Sequence, residues 1–200
     1  PWGDESVAWV ICRDAGFPAF LNILVNNYEN HPSLQHWVLL PFAKLGFPYA
    51  FQAALNWLFS VSAVFLFLRN APLPRLAKVA FIFSFYMVFE YSFISRPYIL
   101  AILMMFVVAT VYPSRFKNPF GYGGAVFLLF NAEYVVFGLA WALTLIYGLE
   151  WLSRRSDRKV LGAWVLMLVG GFWVFKQGVL VPKDHYDYGV VTFQGAQNFM

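Results

Sequence analysis

Of the 200 residues, 60% are hydrophobic and only 12% are charged, whereas soluble domains run at roughly 45–50% and about 25%. A soluble domain of this length still leaves roughly a third of its unfolded surface in water. So apolar a chain cannot be hidden that way, which excludes disorder, a coiled coil and an ordinary cytosolic enzyme and leaves an integral membrane protein. A net charge of +4 and a pI near 9.2 do not indicate nucleic acid, because the 14 Lys and Arg are scattered between apolar runs and form no face that follows a phosphate backbone.

The chain starts at Pro1 with no signal-peptide pattern ahead of it, and reads as a piece of a longer protein. Its first 36 residues are the most polar. Asp4 caps a predicted helix that Gly16 stops, and Trp9 and Val10 suit that helix to a membrane interface. A second short helix is predicted over Phe20–Asn27, and Asn30-His31-Pro32 opens a third.

Six uncharged or nearly uncharged stretches follow: Leu45–Leu68, Val79–Phe93, Pro97–Pro113, Phe120–Ala132, Tyr134–Trp151 and Val160–Phe175. The first is long enough to cross a hydrocarbon core of about 30 Å as a helix; the second and fourth are shorter than the roughly 20 residues expected. Lys and Arg concentrate in every second connection, at Arg69, Arg75 and Lys78, at Arg115 and Lys117, and at Arg154, Arg155, Arg158 and Lys159. The positive-inside rule then puts 69–78, 113–118 and 153–159 in the cytoplasm. The expected architecture is all-α, a polytopic transmembrane bundle of about six spans. It divides into an outer loop with interfacial helices over 1–36, the bundle over 37–176, and an outer loop or tail beginning at 177–200.

The adjacent acids Asp4 and Glu5 have two readings. One is a cap and a first-turn acid favoured by the helix dipole; the other is a general base or metal ligand whose pKa rises near the membrane. Glu90 and Arg96 lie at the outer end of a span. They either pair with one another, or Arg96 turns its fork of donors to an anionic headgroup. Glu133 reads as the end of a span. One cysteine, Cys12, permits no internal disulfide. His31 and His36 stand about 140° apart on a helix and share no face. No cofactor is assigned; a divalent metal held by His31, His36 or His185 with Asp4, Glu5 or Asp184 is the one candidate. Gly121-Tyr-Gly-Gly124 opens a span and serves close helix approach rather than nucleotide binding.

Taken in order, Trp2-Gly-Asp-Glu5, Arg13-Asp-Ala-Gly16, Glu29-Asn-His-Pro-Ser-Leu34, Arg69-Asn-Ala-Pro-Leu-Pro-Arg75 and Glu90-Tyr-Ser-Phe-Ile-Ser-Arg-Pro-Tyr98 resemble the bacterial membrane glycosyltransferases of the GT-C class, the group similar to dolichyl-phosphate-mannose mannosyltransferases and aminoarabinose transferase. The likeness runs from residue 2 to about 119 and more loosely beyond. It implies a bacterial inner-membrane enzyme that takes a sugar from a polyprenyl-phosphate donor and passes it to a lipid, glycan or protein acceptor on the periplasmic or outer side. It implies a catalytic carboxylate at Asp4 with Glu5 beside it, a lipid phosphate on Arg96, and His31 shaping the same cavity. Arg13, Glu90 and Tyr98 join as candidate substrate-binding residues. Three departures stand out: no first membrane helix, a chain that ends where a large outer region belongs, and Gln35-His36 in place of an apolar pair. Two non-enzymatic alternatives are a transporter or flippase with Glu90, Arg96 and Glu133 along a pathway, and a structural membrane subunit. Against the transporter, the charges gather at one face and no two halves mirror each other.

Overall fold

The computed structural model describes residues 3–26, 31–91, 94–154 and 158–179. These residues form helices and turns, with no strand among them. The helices are α1 (Gly3–Asp14), α2 (Phe17–Asn26), α3 (Leu34–Lys44), α4 (Ala50–Asn70), α5 (Arg75–Ile82), α6 (Tyr98–Val111), α7 (Pro119–Phe130), α8 (Phe137–Arg154) and α9 (Arg158–Val179). A π-helical turn covers Tyr86–Glu90, and short 3₁₀ turns extend α6 at Tyr112–Ser114 and precede α8 at Tyr134–Val136. Three segments are long and apolar enough to cross a membrane: Ala50–Asn70, Tyr134–Ser153 and Arg158–Gly178. Tyr98–Ser114 and Pro119–Phe130 are apolar but shorter.

The long helix α4 shows what solvent this fold is built for. Its polar residues Gln52, Asn56 and Ser60 are at most 6% exposed, while Trp57, Val61 and Phe65 on its other face are 56–63% exposed. A helix in water does the reverse; lipid as solvent rewards apolar groups outside and makes interior polar groups seek partners.

Several boundaries differ from the sequence expectation, each for a local reason. The first crossing begins at Ala50 rather than Leu45, because α3 ends there in a glycine cap. Gly46 has φ +82°, its N–H donates to the Ala43 carbonyl (3.2 Å) and the Phe47 N–H to the Phe42 carbonyl (3.1 Å), and the Phe42 and Phe47 rings meet at 5.8 Å. That is the hydrogen-bond pair and apolar contact of a Schellman motif. The stretch 79–93 is not one helix: α5 ends at Ile82, and the Ser84 hydroxyl accepts the Met87 N–H (3.4 Å), a side-chain cap that competes with helix continuation. The second N-terminal helix starts at Phe17, three residues before the predicted Phe20, and Pro32 precedes α3 instead of lying in its first turn. Trp9 turns inward, 1% exposed, against Tyr49 at 6.3 Å.

Hydrogen bonds sort the connections into two ends. At one end, Gln35 and Gln52 reach the Ser95 carbonyl, the Leu34 N–H reaches the Asn131 carbonyl (3.0 Å), and Gln177 reaches the Leu24 carbonyl (2.6 Å). At the other, Asn70 bonds Thr110 (3.0 Å), Lys78 bonds the Leu68 carbonyl (2.7 Å), and Arg115 forks onto Glu150 at 2.9 and 2.7 Å. The Arg115 guanidinium also lies 4.1 Å from the Tyr112 ring centroid and 4.8 Å from that of Phe116. Hydrogen bonding to Glu150 raises the Arg115 pKa above its ordinary value, so the charge that ties this end together is permanent.

The main core joins α6 to α9 through Tyr122, Val126, Leu129, Ala140, Tyr147, Ala163 and Met167. Within the glycine-rich start of α7, Gly123 alone abuts the neighbouring helix: a Cβ there would stand 2.9 Å from the Ala163 carbonyl oxygen and 3.2 Å from its Cα, whereas one on Gly124 would meet nothing within 4 Å. Gly123→Val should therefore force α7 and α9 apart and cost about 1–3 kcal/mol, as overpacking does. Gly124→Ala should be neutral or slightly stabilising. Thermal unfolding in detergent measures both, and equal melting temperatures would deny the close approach.

Candidate functional site

Arg96 sits where three elements meet. Its N–H donates to the Ile94 carbonyl at 2.8 Å, a tight turn, and Pro97 follows at the head of α6, which biases Arg96 away from helical backbone angles. The carbonyl of Ser95 accepts from Gln52 of α4 at 3.0 Å and from Gln35 of α3 at 3.3 Å. The Tyr91 carbonyl accepts from Asn56 at 3.0 Å and from the Ser60 hydroxyl at 3.5 Å. Gln52, Asn56 and Ser60 recur every four residues and so share one face of α4.

A shallow cleft with an enclosed volume of only about 20 Å³, room for about one water, opens beside this turn, lined by Arg96 and Ser95, by the carboxamide residues Gln35, Gln52 and Asn56, and by apolar residues such as Leu39 and Phe59. A cation beside amide groups and an apolar wall has the chemistry to meet an anionic headgroup at the mouth of the cleft, which is too small to enclose one. Tyr98, half-buried at the start of α6, lies 6.3 Å from Tyr91, which in turn lies 6.0 Å from Tyr86. Glu90, also half-buried, closes the π-helical turn, a kind of helix irregularity often found at functional sites.

His31 lies at the same end of the molecule, four residues before Gln35. Its Nδ1 is 3.1 Å from Glu133 Oε2. Glu133 is 3% exposed, and its Oε1 accepts the Tyr134 N–H at 2.8 Å, so it caps the turn that starts α8. The sequence reading of Glu133 as a plain span end therefore understates it: it joins the N-terminal helices to the bundle. Glu133→Gln keeps an acceptor for the cap and loses only the charge facing His31, for an expected cost of about 1 kcal/mol. Glu133→Ala also strands the Tyr134 N–H, for about 2–3 kcal/mol. Denaturant titration ranks the two, and equal losses would make the charge, not the cap, the dominant contribution.

Arg13 is placed elsewhere. Its guanidinium forks onto Asp14 at 2.6 and 2.8 Å, and its carbonyl accepts from Lys44 (3.0 Å). Hydrogen bonding to Arg13, with Lys44 adding to it, holds the Asp14 carboxyl below the usual carboxylate range. Arg13 is not among the residues that line the Arg96 cleft. Asp4 and Glu5 fall in the first turn of α1; their side chains lie outside the described residues, as do Asp184 and His185. His36 is buried on α3, and Cys12 donates to its carbonyl at 3.4 Å. Among the described residues no group of three His, Cys, Asp or Glu stands close enough to hold a metal ion.

The structure thus brings Arg96, Tyr98 and Glu90 into one neighbourhood and adds Gln35, Gln52, Asn56 and Ser95, which the sequence reading missed. The available signal was the four-residue spacing of amide and hydroxyl groups inside an apolar helix, costly in lipid unless each finds a partner. Comparison of the chain with protein-family models, with curated proteins and with solved structures finds no match.

Proposed function

We propose that the chain is a membrane glycosyltransferase of the GT-C kind, moving a sugar from a polyprenyl-phosphate donor to an acceptor outside the cytoplasm. The observation that carries this reading is Arg96: a guanidinium on a braced turn, beside a cleft walled by carboxamides and apolar side chains. Arg69, Arg75, Lys78, Arg115, Lys117, Arg158 and Lys159 belong to the connections at the opposite end. With six crossings, that end is cytoplasmic by the positive-inside rule, and the Arg96 cleft faces the periplasm or cell exterior of a bacterial inner membrane.

In the reaction, an acceptor hydroxyl attacks the anomeric carbon of the donor sugar. The bond from that carbon to the phosphate oxygen breaks, and the polyprenyl phosphate leaves with the electron pair. Asp4 takes the hydroxyl proton as general base, with Glu5 beside it. Arg96 holds the leaving phosphate as its charge grows, a stabilisation strengthened in surroundings poor in water. His31, paired with Glu133, stands just ahead of α3, and Tyr98 and Glu90 border the Arg96 turn. No nucleotide is required, since the donor arrives already activated on its lipid.

The test is transfer from a labelled polyprenyl-phosphate sugar by protein reconstituted in liposomes, with the Arg96 and Asp4 variants described below. Labelling that placed residues 31–36 on the same side as 158–159 would separate donor and carboxylate from the proposed face and overturn the reading.

A further inference from the structure

We propose that Gln52 and Asn56 are positioning residues, whose carboxamides fix the backbone leading into Arg96 so that the guanidinium is presented to a lipid-linked phosphate; this rests on the donor reading above. Both are almost fully buried on a helix whose opposite face is exposed and apolar. A carboxamide inside a lipid-embedded bundle is costly unless bonded. A simple cross-link between α4 and α6 could place its donors anywhere along their shared length. Instead, Gln52 reaches the carbonyl of Ser95, next to Arg96, and Asn56 reaches that of Tyr91. Gln35 adds a second donor to the Ser95 carbonyl from a different helix. With Pro97 fixed on the other side, the backbone at residue 96 is restrained from both directions, and the same carboxamide residues line the cleft that Arg96 borders.

The experiment uses Gln52→Met with Asn56→Leu, which keep side-chain volume, remove both donors and make α4 more apolar, so insertion is not impaired. The probes are farnesyl phosphate and its phosphate-free counterpart farnesol, titrated against the protein in nanodiscs. The double variant should bind farnesyl phosphate about tenfold more weakly, the order expected from two interhelical hydrogen bonds, with farnesol binding unchanged. A nitroxide on Ile94→Cys should gain mobility in the same background; native Cys12 is buried and does not compete for label. Ser62→Ala, which removes only an exposed hydroxyl bonded within α4, should change neither readout. A double variant that melts at lower temperature yet keeps the parent's preference for the phosphate and an immobile label would overturn the positioning role and leave a structural cross-link. If the parent prefers farnesyl phosphate and loses that preference with Arg96→Ala but not with the double variant, the positioning role alone falls. A parent that binds farnesyl phosphate no better than farnesol overturns the donor reading and the presentation role with it.

Discussion

Asp4→Asn should reduce sugar transfer by about 10²–10⁴-fold, the contribution expected of a positioned general base, while membrane insertion and folding stay unchanged. Asparagine matches aspartate in size and still caps or starts a helix well, so a structural role would survive the exchange and a proton-accepting role would not. Glu5 is the natural control. Adjacent helical residues point about 100° apart, so both carboxylates cannot face one acceptor equally, and Glu5→Gln should cost far less. The initial rate of transfer from a labelled donor decides the matter. Full activity in Asp4→Asn would remove Asp4 from the mechanism, and a severe loss confined to Glu5→Gln would move the base by one residue.

Arg96→Ala is the second large effect. A charge-assisted hydrogen bond to a phosphate contributes about 1.5–3 kcal/mol, so donor affinity should weaken by roughly 10–100-fold, seen mainly in the KM for the donor. Arg96→Lys should recover only part of this, because an ammonium is a point charge without the planar fork that engages two phosphate oxygens at once. The distinction matters on this turn: Pro97 and the doubly bonded Ser95 carbonyl give a shorter or differently shaped cation little freedom to adjust. Unaltered donor affinity in Arg96→Ala would remove the phosphate-binding role.

Much of the helical layout is legible in the sequence. Apolar stretches mark α6, α7, α8 and α9 to within a few residues, since burial in lipid depends on composition over a whole segment. Local chemistry is harder to read. The break after Ile82 comes from the Ser84 hydroxyl, with no proline or glycine to announce it. Gly46 ends α3 just inside the uncharged stretch that starts at Leu45, because one left-handed residue outweighs the hydropathy around it. The candidate site was legible in its charges: Arg96 and Glu90 stand out as ionisable groups near a membrane face. Its amides were not, since Gln52, Asn56 and Gln35 acquire meaning only from the carbonyls that they reach. His31 and Glu133 lie 102 positions apart, and no local pattern could have paired them.

The contact between Gln177 and the Leu24 carbonyl joins residues 153 positions apart. A ribosome makes the chain from its amino end at about 5–20 residues per second, so α2 waits on the order of ten seconds for Gln177 to emerge. A chain halted before residue 177 would leave α2 without this anchor to the bundle.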